Sequence, residues 1–511
     1  MTIEWAFGEA WVREAVGAWA GGGDEHVVRD NVRRRIVRID GCNGPLLVKQ
    51  FRVTSGRHPL RERFKAAIGR SPAEKEAHAL RAAAAAGAPV VEPLALGTLA
   101  DGDRILVLPW LEATPAGEAL ATCSAGLRPA LLERLGEAVR ALHQAGFSHG
   151  DLHLGNALVA ADGAPILWID LQSARSGASD EAKLRDVATL VYGLRRDADD
   201  AERALVGRVA LGREGGDALR DAVADHAHDH ARGRTRRALV AGAGRRFAHF
   251  SCADGSGIRS QDIEAAHLRR WLELHRRACA GEASTEARSL KQEGPIAIST
   301  VASHGRRVLV KERRADGLRA LADLVRGSAG RRAWTAGHGL LARDIPAALP
   351  LAFVERRMLG VPVSSIVVLE WIEGPDGVAA CEDPAARADQ LELMVKLHRR
   401  HVDHGDLKAS NWIHRAPDGP ATLIDLEGVA FPRRLSDDRR IEALAQWNAS
   451  LPDTVTAEAR TRALSEYCER TGAQSDLSKI REAVARRSLA RQHRWTGADC
   501  ECARGAADGE R

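Results

Sequence analysis

The sequence predicts an α+β protein built twice over, each half a small β-rich lobe followed by a larger helical lobe. Three observations predict it. The octapeptide His149-Gly150-Asp151-Leu152-His153-Leu154-Gly155-Asn156 recurs as His404-Gly405-Asp406-Leu407-Lys408-Ala409-Ser410-Asn411, 255 positions later. In each copy an Asp follows 14 residues after the Asn, within Ile169-Asp170-Leu171 and Ile424-Asp425-Leu426. The flanks repeat as well: Leu142-His143 answers Leu397-His398, Val107 to Glu112 answers Val368 to Glu373, and Leu46-Leu47-Val48-Lys49 answers Val308-Leu309-Val310-Lys311. Offsets drift by a few residues, as surface insertions make them drift.

Taken in chain order, the Val and Ile content of Val27 to Ile39 and of Leu46 to Phe51 predicts strands, joined by a turn at Asp40 to Gly44. Ser71-Pro72-Ala73-Glu74 has the form of a helix start, with a capping Ser, Pro at the first helical position and Glu three residues after the cap. A strand at Arg104 to Pro109 and a helix around Pro129 to Ala145 follow, and beyond Asp180 the pattern of the first half is almost wholly helical. Helix-like Ile263 to Arg277 closes the first half. The Gly, Ala, Ser and Thr of Ala280 to Ser289 then mark a boundary. The expected division is a first domain over 1–280, a linker over 281–289, a second domain over 290–499 and a frayed tail over 500–511.

Composition narrows the function. The 511 residues are 45% hydrophobic and 28% charged, which fits a folded chain rather than a disordered or fibrous one. A net charge of +5 over that length is far from the basic field of a dedicated nucleic-acid binder, so no nucleic-acid partner is expected. The longest stretches without Asp, Glu, Lys or Arg are twelve residues, against about 20 for a membrane span, so no transmembrane segment is expected. Glu4 stands where a secretory signal carries a basic residue, and the eight cysteines follow neither disulfide nor zinc spacing. The expected location is cytoplasmic, and no amphipathic segment stands out as a membrane anchor.

The repeated residues are a set that phosphoryl transfer needs. A carboxylate orients and deprotonates the attacking hydroxyl, an amide and a second carboxylate hold Mg²⁺, and a cation holds the nucleotide phosphates. Asp151, Asn156, Asp170 and Lys49 supply these groups. The chain has nine lysines against 65 arginines, so Lys at one strand position in both halves points to a requirement for Lys. A lone Lys49 would read as a solvated strand end; its repetition argues otherwise.

The His-Gly-Asp loop, the Asn five residues on, the later Asp and the upstream strand Lys resemble the protein-kinase-like superfamily in its small-molecule branch. Strands ending in Val-Lys, the helix at Lys75-Glu76-Ala77, Gly87-Ala88-Pro89-Val90 and the linker residues Trp110 and Trp371 resemble the lipopolysaccharide core sugar (Kdo/heptose) kinases. The resemblance spans both halves and implies two tandem kinase-like domains using ATP and Mg²⁺ to phosphorylate a sugar hydroxyl, on a small molecule or glycolipid, at the inner face of a membrane. It implies Asp151 and Asp406 as catalytic bases, Asn156 with Asp170 and Asn411 with Asp425 as metal ligands, and Lys49 and Lys311 as ATP ligands. Glu76 is implied as the partner of Lys49, and Lys408 as a further contact to the γ-phosphate.

Several features depart from the pattern. No Gly-x-Gly-x-x-Gly loop precedes either Lys. Gly150 and Gly405 stand where regulated protein kinases carry an Arg that clasps a phosphorylated loop, which favours a constitutive small-molecule kinase. Carrying Glu76 into the second half lands on Ala333, leaving Lys311 to pair with Asp323 or Asp316 and implying an impaired second site. His149 and His404 are expected to bond loop backbone, Trp110 and Trp371 to pack, and the arginine pairs to be solvated. Two alternatives remain: an aminoglycoside-type small-molecule or protein kinase, and a nucleotide-binding scaffold without turnover.

Overall fold

The computed structural model describes residues 3–52, 70–160, 164–238, 246–282, 284–315, 317–416, 419–473 and 476–491. The chain divides into two compact units, 1–226 and 227–511.

The first unit opens with β1 (Ile3–Gly8), α1 (Ala10–Ala20), β2 (His26–Asp30), β3 (Arg34–Gly41), β4 (Gly44–Phe51), α2 (Pro72–Ala85), β5 (Ala95–Leu99) and β6 (Arg104–Pro109). The six strands form one antiparallel sheet in the order β1-β5-β6-β4-β3-β2. Alternation along the strands splits its two faces. Leu46, Val48, Ile105 and Val107 pack with Val12, Val16 and Trp19 of α1, whereas Leu106, Leu108 and Phe51 pack with Ala77 and Leu80 of α2. Lys49, paired with Leu106 in register, therefore belongs to the α2 side. The helical part adds β7 (Ala113–Pro115), α3 (Ala116–Thr122), α4 (Arg128–Gln144), β8 (Phe147–Ser148), β9 (Ala157–Ala160), β10 (Leu167–Trp168), β11 (Arg175–Ser176), α5 (Asp180–Gly193) and α6 (Asp200–Leu211). Helix α7 (Gly216–Ala238) carries the chain across the division between units.

The second unit has two strands where the first has one before its first helix, and two helices where the first has one after the next three strands. It contains β12 (Phe247–Cys252), β13 (Gly255–Ser260), α8 (Ala265–Cys279), β14 (Ala287–Glu293), β15 (Ile296–Ser303), β16 (Arg306–Arg314), α9 (Gly317–Arg326), α10 (Ala329–Leu341), β17 (Pro350–Met358) and β18 (Val361–Glu370). These strands form a seven-stranded sheet, β12-β13-β17-β18-β16-β15-β14. Val308 and Val310 pack toward Leu268 and Trp271 of α8, while Val367 and Leu369 pack toward Ala333 and Leu340 of α10. The helical part follows as α11 (Gly377–Ala380), α12 (Pro384–Arg399), β19 (Trp412–His414), β20 (Ala421–Leu423), α13 (Asp437–Ser450), α14 (Ala457–Thr471) and α15 (Leu477–Ala490).

Three expectations change. The division falls at 226/227 rather than near 280, because β13 pairs with β17 and α8 covers the second sheet, the places that β1 and α1 hold in the first. Residues 281–289 are thus internal to the second unit. The stretch 27–39 is a hairpin rather than one strand: Asn31 Oδ1 accepts from the backbone N–H groups of Arg33 and Arg34, turning β2 into β3. The tail 500–511 lies outside the described residues.

Candidate active sites

In the first unit the helix start at Ser71 forms as its sequence implies, Ser71 and Glu74 capping each other's backbone N–H. That use of Glu74 leaves Glu76, one turn into α2, to meet the strand lysine. Lys49 Nζ lies 2.5 Å from Glu76 Oε1, with Lys49 3% and Glu76 0% exposed. A charge pair so fully removed from water persists only while both members are present. Helix α2 also packs against the turn Leu171–Ser173 that follows Asp170, so the element that holds Lys49 also borders the second carboxylate.

The loop carrying Asp151 is fixed from several sides. Asn156, buried, donates from Nδ2 to the Asp151 carbonyl at 3.0 Å, which leaves its side-chain oxygen for another partner. His149 is buried, and burial lowers its pKa despite neighbouring carboxylates; its Nε2 lies 3.1 Å from the Ile169 carbonyl, bonding backbone as expected. Gly150 has φ +79°, and a Cβ there would stand 2.5 Å from the Ser173 carbonyl oxygen. The position therefore excludes the Arg of regulated kinases on steric grounds.

Two more residues complete this site: Asp186, which the sequence reading missed, and Arg34, which with Arg33 and Arg35 was expected on a solvated face. Asp186, buried on α5, accepts from the N–H groups of His149 at 2.6 Å and Gly150 at 2.9 Å, and His143 Nε2 lies 3.2 Å from it. Its only trace in the sequence is a carboxylate next to Val187 on the buried side of a helix. Arg34 donates to Asp170 Oδ2 at 3.3 Å and to Gln172 Oε1 at 3.4 Å.

Asp170 takes a left-handed backbone, φ +62°, and its Oδ1 is buried with no hydrogen-bond partner among the described residues. An orphaned carboxylate oxygen costs free energy unless something cationic or protic meets it. Together with the amide oxygen of Asn156 it offers an all-oxygen donor set, the kind that suits Mg²⁺. The residues fit such an ion.

The second unit keeps the loop and changes the lysine's partners. Asn411 donates from Nδ2 to the Asp406 carbonyl at 2.8 Å and to Asp406 Oδ2 at 3.2 Å. His404 Nε2 lies 3.1 Å from the Ile424 carbonyl, and burial lowers its pKa. Asp425, like Asp170, is left-handed, φ +58°. The loop is pinned by Asp403, whose Oδ1 accepts from Gly405 N–H at 3.0 Å, and by Gln446, whose Oε1 accepts from Leu407 N–H at 2.6 Å. Lys408 Nζ contacts Asp406 Oδ2 at 2.9 Å.

No carboxylate from α10 reaches Lys311, whose Nζ lies 2.6 Å from Asp425 Oδ1 and 3.3 Å from Glu427 Oε2. Burial pulls the ammonium pKa down, but the charges of Glu427 and Asp425 outweigh it and raise the pKa. Asp425 shifts the opposite way, its burial outweighed by Lys311. The expected pairing of Lys311 with Asp323 does not form, because Asp323 holds Arg332 at 2.9 Å; Asp316 lies outside the described residues. The linkers match between units: Trp110 and Trp371 donate to Glu112 and Glu373, beneath Arg38 and Arg307.

No curated protein matches the chain. Among solved structures, WaaP in complex with acyl carrier protein is 20% identical, covering 43% of this chain and 93% of that one at a TM-score of 0.32. The Mycobacterium tuberculosis PknI kinase domain is 15% identical, covering 39% and 85% at a TM-score of 0.26. Over residues 19–204 the chain matches the lipopolysaccharide kinase (Kdo/WaaP) family.

Proposed function

We propose that the first unit is an ATP- and Mg²⁺-dependent phosphotransferase whose acceptor is a sugar hydroxyl of lipopolysaccharide core, working at the cytoplasmic face of a membrane, and that the two units are tandem kinase-like domains. The observation that carries the reading is the buried Lys49–Glu76 pair, because a lysine sealed from water and aligned by a helix carboxylate is what an anionic phosphate chain requires of its cradle. Lys49 would hold ATP phosphates, and Asn156 and Asp170 would hold the metal. Bound Mg²⁺ and ATP would supply the phosphoryl group and offset its charge.

Asp151 is exposed on its loop, where an acceptor can reach it. Its carboxylate accepts the proton of the acceptor hydroxyl as that oxygen bonds to phosphorus and the bond to the departing ADP breaks. Asp186 positions the loop through the His149 and Gly150 N–H groups. Arg34 holds Asp170 Oδ2, leaving Oδ1 as the oxygen a metal ion would take.

A second reading applies to the second unit: a nucleotide pocket with impaired turnover. Ala333 stands at the place of Glu76, and Lys311 is held by the same Asp425 that would bind metal. Asp406, Asn411, Lys408 and Asp425 would otherwise take the roles of base, metal ligand, phosphate contact and metal ligand.

The test is incubation of the full-length protein with ATP, Mg²⁺ and dephosphorylated lipopolysaccharide core, read by mass spectrometry. Phosphate gain abolished by Asp151→Asn supports the reading. Transfer only to soluble aminoglycosides or to protein replaces the acceptor, and nucleotide binding without transfer to any of them leaves a scaffold.

A further inference from the structure

Helix α9 carries Leu318, Leu321, Leu324 and Val325 at helical spacing on one side, yet that side faces water: Leu318 is 84% and Val325 88% exposed. The side that packs on the second sheet, against β18, is the opposite one, where Ala320 is buried and Asp323 bonds Arg332. An ordinary surface helix does the reverse and buries its apolar stripe.

A second exposed apolar element lies at the same end of strand β18. Ala315, just before α9, donates its N–H to the Val363 carbonyl, while the β17–β18 turn closes through Met358 pairing with Val361. At that turn Leu359 is wholly exposed with φ +49°, a conformation unfavourable for a branched side chain. Met358 beside it is exposed too.

Around these six residues stand the exposed Arg319, Arg326 and Arg356. Among the described residues no carboxylate of α9 or of the turn joins them at the surface, since Asp323 is turned inward to Arg332. A surface helix with an outward apolar stripe, an apolar turn beside it and a basic border is the chemistry that anionic lipid surfaces recognise: apolar side chains enter the acyl boundary while guanidiniums meet headgroup phosphates. Self-association through this face would set the arginines of two copies against one another, which disfavours a second copy as the occupant.

We propose that α9 and the β17–β18 turn form a docking face for the surface of an anionic lipid bilayer. The inference stands apart from the phosphotransfer reading, since vesicle binding needs neither nucleotide nor acceptor.

The experiment is co-sedimentation of the full-length protein with phosphatidylcholine vesicles, with and without phosphatidylglycerol, at low and high salt. The protein pellets with the anionic vesicles, less at high salt and less with phosphatidylcholine alone. Leu321→Glu with Val325→Glu lowers binding by about tenfold or more, and Leu359→Ser, at a side chain with no packing to lose, lowers it by a smaller factor. Arg319→Gln with Arg326→Gln weakens only the anionic, salt-sensitive part. An unchanged thermal unfolding midpoint shows that the variants are folded. Failure of the wild type to pellet with either vesicle, or equal pelleting of wild type and the Leu321, Val325 and Leu359 variants, overturns the proposal. So does a dimer in light scattering that these variants dissociate while vesicle binding stays absent.

Discussion

Lys49 and Lys311 stand at the same point of their sheets and hold different carboxylates: Lys49 pairs with Glu76 of a helix, Lys311 with Asp425 and Glu427 of the turn beyond the second loop. In the first unit the lysine's partner and Asp170, the proposed metal ligand, are separate groups. In the second they coincide, so a metal ion at Asp425 would have to compete with an ammonium 2.6 Å away.

Glu76→Ala strands the Lys49 charge in a dry site. We expect a loss of about 3–5 kcal/mol in urea-denaturation stability of the first unit, together with weakened nucleotide binding. Glu76→Gln, which keeps a hydrogen-bond acceptor, costs less.

Asp151→Asn lowers phosphotransfer by about 100-fold or more, since it removes the proton acceptor while preserving shape. Asp406→Asn leaves the rate of the full-length protein unchanged. Steady-state ADP production by the two variants separates the units, and equal losses would show that both turn over.

Removal of divalent metal by chelation abolishes transfer, and Asp170→Asn mimics that loss at saturating ATP. The carboxylate oxygen Oδ1, buried without a partner among the described residues, is the group that a bound metal would satisfy. Isothermal titration with Mg²⁺ and a non-hydrolysable ATP analogue should show tight binding in the wild type and loss of metal dependence in the variant.

Gly150→Ala brings a Cβ to 2.5 Å from the Ser173 carbonyl and forces an L residue to φ +79°; Gly405→Ala meets the Gly428 carbonyl at 3.0 Å. Strain alone costs about 1–2 kcal/mol at each. The extra overlap makes Gly150→Ala the more damaging, as thermal unfolding of the two variants should show.

Acid weakens the second unit before ordinary carboxylate titration begins. Burial, with help from Arg440, lowers the His398 pKa from 6.5 to about 3, and burial with Arg246 lowers that of His338 to about 4. Both values lie below that of the unfolded chain, so unfolding takes up protons below pH 6.5. The contribution of each is whole above that pH and falls by up to about 1.4 kcal/mol per pH unit between 6.5 and its folded value. His338, beside Phe247 and Trp334 with Nε2 unpartnered among the described residues, is the simpler one to replace. Urea melts at pH 7 and pH 5 should show a shallower loss for His338→Phe.

The sequence by itself determined the recurring His-Gly-Asp motif, the lysine strands, the helix start at Ser71 and the loops that carry Asp151 and Asp406. These are local: strand alternation, capping and the closely spaced His-Gly-Asp and Asn residues are written within a few positions of one another. Tertiary structure alone decided where the second unit begins, because nothing near Phe247 announces that β13 will pair with a strand almost a hundred residues later. It also decided that Asp186 and Arg34 belong to the first site, that Asp323 serves Arg332 rather than Lys311, and that the apolar side of α9 faces outward. The physical reason is common to all four. Periodicity tells which side of an element is apolar and which residues carry charge, but the partner across space is chosen by competition among groups distant in sequence, and only the assembled packing settles that competition.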